Sequence, residues 1–249
     1  MAEQNTVWQS GWITDRAFLR LAGVAAMLSA VTTFFLWYLA RQIPAAESFD
    51  DMARLHANGP FMARQWVNLL HIPLALLAYI GATRAVSANT RGWALAGLLF
   101  FVVWGVAEMA GVAINIFAVN GVLRPAYLAA DPDSAAVLAS TITALLVVWD
   151  ALFFVILIGF LFGTILLGIA LLAEASGLQR IVAWLMLAAA PLTLVIILSG
   201  YFGISELDPA ISAVYPVLQP ISRALLGIWL WRAASRLRMP EKRQAVPPI

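Results

Sequence analysis

Residues 93–117 read WALAGLLFFVVWGVAEMAGVAINIF and hold a single ionisable side chain, Glu108. At the helical rise per residue the run extends about 37 Å, more than a bilayer hydrocarbon core of roughly 30 Å. The stretch from Leu145 to Ala173 repeats the pattern, with Asp150 as its only charge. Both runs therefore read as transmembrane helices. A carboxylate in hydrocarbon costs at least about 2.5 kcal/mol, so a chain that keeps two of them must pair, hydrate or use them.

The rest of the chain has the same character. Of 249 residues, 63% are hydrophobic and 11% charged, against roughly 45–50% and 25% in soluble domains. Mean hydropathy is +0.89, which excludes an ordinary soluble globule. Six apolar runs are visible, at about 19–40, 65–82, 93–117, 145–173, 182–203 and 213–231. The fold expected is all-α, a polytopic bundle of six transmembrane helices filling one membrane domain over residues 19–231. It lies between an N-terminal segment, 1–18, and a basic, disordered tail, 232–249. The first run is followed by no small-residue cleavage pattern and reads as a retained anchor. No repeat relates the two three-helix halves.

Orientation follows from the basic residues, which resist translocation and collect in cytoplasmic loops. With both termini inside, the cytoplasmic side holds ten: Arg16, Arg20, Arg84, Arg91, Arg180, Arg232, Arg236, Arg238, Lys242 and Arg243. The outside holds four: Arg41, Arg54, Arg64 and Arg124. Cytoplasmic termini in a bacterial inner membrane are the expectation. Two external connections carry local signals. Ser48 with Asp51 resembles a capping box before a short surface helix, and Asp133 or Ser134, after Pro132, is a plausible N-cap for a helix running into the fourth span.

Counting the rise from each span's edge places Glu108 about 22 Å above the cytoplasmic side and Asp150 about 8 Å below the outer one. His71 and Asn68, in the second span, enter from outside, His71 at about 9 Å, while Arg223 in the last reaches about 15 Å. Tyr201 joins the same outer layer. On the third span Trp104, Glu108 and Asn115 share a face, with Gly111 leaving room beside them. Lipid-facing polar groups would lack partners, so these residues are expected to turn inward around an outer-half polar pocket. Asn68, His71, Trp104, Glu108, Asn115, Asp150, Tyr201 and Arg223 are thus the candidate ligand-binding set. The alternative is structural, with Arg223 neutralising one carboxylate and His71 or Tyr201 bonding the other.

Several functions are excluded or unsupported. Without cysteine, thiolate metal sites, iron–sulfur clusters and disulfides are impossible. Only one histidine, His71, lies in a span, which leaves a two-histidine haem without its second ligand. The one lysine, Lys242, is in the tail, so no retinal Schiff base forms inside the bundle. No HExxH, EF-hand or Walker A pattern is present, no cofactor is implied, and the scattered basic residues give no nucleic-acid surface. Gly159 with Gly163, and Ser199 with Gly203, have the spacing of close helix packing. Pro216 and Pro220 bracket the outer half of the last span and would free carbonyls near Arg223.

The segments Phe101 to Val112 (FVVWGVAEMAGV) and Tyr215 to Trp231 (YPVLQPISRALLGIWLW), with the order of spans, resemble a bacterial family of six-helix membrane proteins of unknown function. The family often carries an acid near the position held here by Arg223. The resemblance implies a fold and an inner-membrane location and no activity. The residues favour binding, and movement, of a small apolar or amphipathic molecule. One competing expectation is an intramembrane enzyme of the terpene-cyclase kind, in which Glu108 and Asp150 work as acid and cation stabiliser beside Trp104, Phe153 and Phe154. Another is an accessory subunit docked on a larger complex.

Overall fold

A computed structural model describes residues 16–173, 175, 177–204 and 208–236, with residues 208–213 as backbone alone. Among the described residues the regular structure is helical throughout. Six long helices dominate: α1 (Arg16–Ala40), α3 (Gly59–Ala85), α4 (Arg91–Ala113), α6 (Pro132–Leu172), α7 (Leu178–Phe202) and α8 (Asp208–Arg236). Two short ones, α2 (Phe49–Arg54) and α5 (Arg124–Ala129), lie in the connections that follow α1 and α4. The predicted all-α bundle is therefore what the chain forms. Five of the long helices, the α4 run through Ala129 among them, are long and apolar enough to cross a membrane.

Neighbours in sequence are neighbours in space. α1 packs on α3, α3 on α4, α4 on α6, α6 on α7 and α7 on α8, and α8 closes the ring against α1. The core is a stack of aromatics at the α3–α4–α6 junction, where Tyr79 lies parallel to Phe101 at 3.7 Å and Trp104 and Phe160 meet Phe101 edge-on. Outward faces are apolar as well: Leu21, Leu28, Val31, Leu95, Leu99 and Val106 are all exposed. A water-soluble monomer does not present such a surface.

Glycine sets how closely the helices approach. A Cβ on Gly159 would stand 2.9 Å from the backbone of Phe100 and Trp104, and one on Gly163 2.9 Å from the Phe101 ring. The GxxxG of α6 is therefore the groove into which α4 presses. Gly23 of α1 and Gly227 of α8 do the same for each other, each missing Cβ occupied by the other's carbonyl oxygen. The Ser199–Gly203 pair has a different role, since Gly203 ends α7 in the left-handed region (φ 73°) and a Cβ there would meet nothing within 4 Å among the described residues. Only glycine takes that conformation without strain.

Several boundaries differ from expectation. The third span does not stop at Phe117: a π-helical stretch, Ile114–Leu123, joins α4 to α5 in one helical run. Hydropathy alone missed this, because Asn115, Asn120 and Arg124 satisfy one another within the run. α6 begins at Pro132, and its N-cap is Asp131, whose side chain accepts from the amides of Asp133 and Ser134. Asp133 and Ser134 are thus the capped residues and not the cap. At α2 the capping box is present as read, Ser48 Oγ accepting from Asp51 N–H and Asp51 returning a bond to Ser48 N–H. α8 continues to Arg236, past the expected tail boundary at 232, and stays one helix through Pro216 and Pro220. The remaining tail and the segment 1–15 lie outside the described residues.

Candidate functional site

The deepest polar cluster is built by α1, α3 and α8. Arg223 is 7% exposed, His71 3% and Ser29 0%. Arg223 Nη1 donates to Ser29 Oγ at 3.1 Å and Thr33 Oγ1 at 2.8 Å, and it lies against both ring nitrogens of His71. A guanidinium only donates, so the imidazole nitrogen facing it accepts. That leaves the other ring nitrogen, Nδ1, to donate to Thr32 Oγ1 at 2.8 Å, whose hydroxyl passes its own proton to the carbonyls of Leu28 and Ser29. The charge of Arg223 is thus held by neutral groups, and the expectation that it directly neutralises a carboxylate is replaced by this hydroxyl and imidazole cradle.

Glu108 belongs to the same space. Asn68 Nδ2, on α3, donates to Glu108 Oε1 at 3.0 Å. Glu108, Asn68, His71, Arg223 and Trp104 all line one cavity of about 220 Å³. The walls are Leu36, Phe153, Ile156, Leu157, Phe160 and Ile196, with Thr33, Tyr215 and Gln219 adding polar edges. All six long helices contribute, so the cavity lies at the centre of the ring. Gln219 is buried, and among the described residues neither its amide nitrogen nor Arg223 Nε has a hydrogen-bond partner. Buried donors left in this state are positions at which a bound molecule would find hydrogen bonds waiting.

Three of the expected residues stand elsewhere. Asp150 is exposed and does not line the cavity. Its carbonyl accepts from Tyr201 Oη at 2.8 Å, and the Tyr201 ring meets Phe154 at 5.0 Å, so both residues belong to the α6–α7 joint. The reason is register. Gly159 touches Trp104 and Gly111 touches Trp149 and Leu152, which sets Glu108 opposite residues 152–156 and Asp150 a turn further out. Asn115 is seven residues past Glu108, about 10 Å along the axis, and its carbonyl and side-chain oxygens both accept from Asn120 Nδ2 at 2.7 Å. Asn120 Oδ1 in turn accepts from Arg124 Nη1, giving a ladder along the π-helix, above the cavity. The room expected beside Gly111 is filled by the Trp149 indole.

The two carboxylates therefore do not share a cavity, and the paired-acid arrangement of the cyclase expectation is absent from it. Among the described residues no three His, Asp or Glu side chains are grouped as a metal site would need. Tyr127 Oη donates to Asp50 Oδ1 at 2.6 Å, and the Tyr127 ring meets Phe49 at 4.8 Å. This pins α2 to α5. Bonds from the Ser48 hydroxyl and amide hold Asp51 below the usual carboxylate range.

Sequence reading missed Ser29, Thr32, Thr33, Tyr215 and Gln219. A signal was present in each helix. Ser29, Thr32 and Thr33 are spaced i, i+3, i+4, and Tyr215, Gln219 and Arg223 are spaced i, i+4, i+8, so each set occupies one helical face. Comparison with known proteins assigns no relative: no family model, no curated protein and no solved structure matches the chain.

Proposed function

We propose that the chain is a six-span protein of a bacterial inner membrane, with both termini cytoplasmic, that binds a small amphipathic molecule in the central cavity and moves it between bilayer and exterior. The observation that carries this reading is the convergence of Glu108, Asn68, His71 and Arg223 from three helices on one cavity with an aromatic and aliphatic wall. Pockets of this make-up, mostly apolar with few convergent polar groups, are ligand sites by default. Its volume, about 220 Å³, suits a molecule smaller than a typical drug. The polar head would sit between Asn68–Glu108 and Arg223–Gln219, and the body against Trp104, Phe153, Ile156 and Phe160. α8 extends about 43 Å as a helix and is the sixth span in this reading, its cavity face carrying the polar residues that lower its hydropathy.

The test is mass spectrometry of small molecules extracted from purified protein. A species enriched in wild type should be lost from Leu157→Trp, which fills the cavity, and reduced in Glu108→Gln, while both variants keep wild-type folded yield. Identical extracts from all three proteins would refute the reading.

A further inference from the structure

A second cavity, about 530 Å³, lies at the end of the bundle where α1, α4 and α7 begin and α3 and α8 end. Four arginines line it: Arg84 from α3, Arg91 from α4, and Arg232 and Arg236 from α8. No carboxylate is among its described lining residues. Gly177 and Leu178, at the start of α7, also line it, so the positive end of that helix's dipole adjoins it. Arg84 is steadied by the Phe18 ring, 4.7 Å from its guanidinium carbon.

Arg232 also lines a separate hollow of about 300 Å³ on the outward face, with Met27, Ile228 and Trp231. Arg232 is thus common to both hollows. The first is suited to an anion with several acceptor oxygens, which arginine forks bind bidentately. The second is apolar and opens sideways on the exposed faces of Ile228 and Trp231. Trp231 is itself stacked under Arg20, 5.5 Å away, in the manner of an interfacial anchor.

We propose that this end of the bundle is a binding site for an anionic phospholipid, its phosphate held by Arg84, Arg232 and Arg236 and one acyl chain lying along Met27, Ile228 and Trp231. A soluble phosphate ester shares the head-group chemistry but leaves the apolar hollow unused, and a choline head group would bring a cation among guanidinium groups. Arg232 is about 13 Å further along α8 than Arg223, the two cavities share no lining residue, and the proposal does not depend on what the central cavity binds.

Native mass spectrometry of the full chain in mild detergent, with phosphatidylglycerol and phosphatidylcholine of identical chains in competition, tests it. Wild type should retain phosphatidylglycerol selectively. Arg232→Gln with Arg236→Gln should weaken that retention roughly 25-fold, about fivefold for each charge removed. Arg41→Gln with Arg54→Gln, outside the site, should leave it unchanged. Met27→Trp, which fills the hollow, should weaken the lipid and leave glycerol 3-phosphate unaffected. If the double variant folds poorly, Arg84→Gln, on an exposed side chain of another helix, should give the fivefold loss alone. Equal retention of the two lipids would overturn the proposal, as would arginine variants with undiminished retention. Glycerol 3-phosphate displacing the lipid at equal concentration, with Met27→Trp silent, would make it a soluble-phosphate site and overturn the lipid assignment.

Discussion

Replacing Gly159 by alanine tests the packing on which the central cavity depends. The new methyl would meet Phe100 O and Trp104 N at 2.9 Å and Trp104 Cβ at 3.1 Å, about half an ångström inside ordinary contact. Two of those three atoms are backbone, so no rotamer change relieves the clash and α4 must move away from α6. Overpacking of this kind costs about 1–3 kcal/mol. Alanine is also a better helix former than glycine by up to about 1 kcal/mol, which offsets part of it. Gly200→Ala separates the two effects, because Gly200 is helical and a Cβ there meets nothing within 4 Å among the described residues. The difference in unfolding free energy between the two variants should therefore be about 1–3 kcal/mol, Gly159→Ala being the less stable. Reversible unfolding by SDS in mixed micelles, followed by tryptophan fluorescence, measures it. Because Trp104 and Glu108 travel with α4, ligand retention should fall in Gly159→Ala and not in Gly200→Ala. Equal stability of the two variants would refute the close α4–α6 contact.

Other outcomes follow from the same contacts. Arg223→Ala leaves Ser29, Thr33 and His71 without their shared donor and should destabilise the protein by about 1–3 kcal/mol in the same unfolding assay. Ser48→Ala should move the Asp51 carboxyl, followed by NMR, up towards its ordinary value; the folded value being depressed, the α2 cap is fully present above the ordinary value and lost as pH falls through the lowered one. The chain has no cysteine, so single substitutions Ser48→Cys and Ala88→Cys should react with membrane-impermeant maleimide from opposite sides of the membrane, Ser48→Cys from outside.

The helical bundle was legible because runs such as 93–117 leave no other arrangement for their backbone polar groups in lipid. Where helices end was less legible, since α6 starts thirteen residues before the apolar run at Leu145, its extension held by the Asp131 cap rather than by hydropathy. That extension also explains the misplaced Asp150. Depth was counted from the apolar edges of two spans, and those edges are not coplanar, so an error of one turn put Asp150 beside Glu108. Asn68, His71, Glu108 and Arg223 were found because polar or ionisable groups in an apolar helix are conspicuous, and Trp104 because it lies four residues before Glu108 on the same face. Ser29, Thr32 and Thr33 were not: small hydroxyls barely lower the hydropathy of a span, and those of Thr32 and Thr33 return their protons to carbonyls of their own helix.

The partners of Arg223 are 194, 190 and 152 residues earlier in the chain. At a synthesis rate of about 5–20 residues per second, the ribosome emits the arginine roughly 10–40 s after its acceptors. Those hydroxyls and the imidazole must wait, half-satisfied, until the final helix is delivered to them. A nascent chain arrested before that point would carry an open seam between its first helix and its fifth long one, and its closing is the event that quality control in the membrane would have to sense.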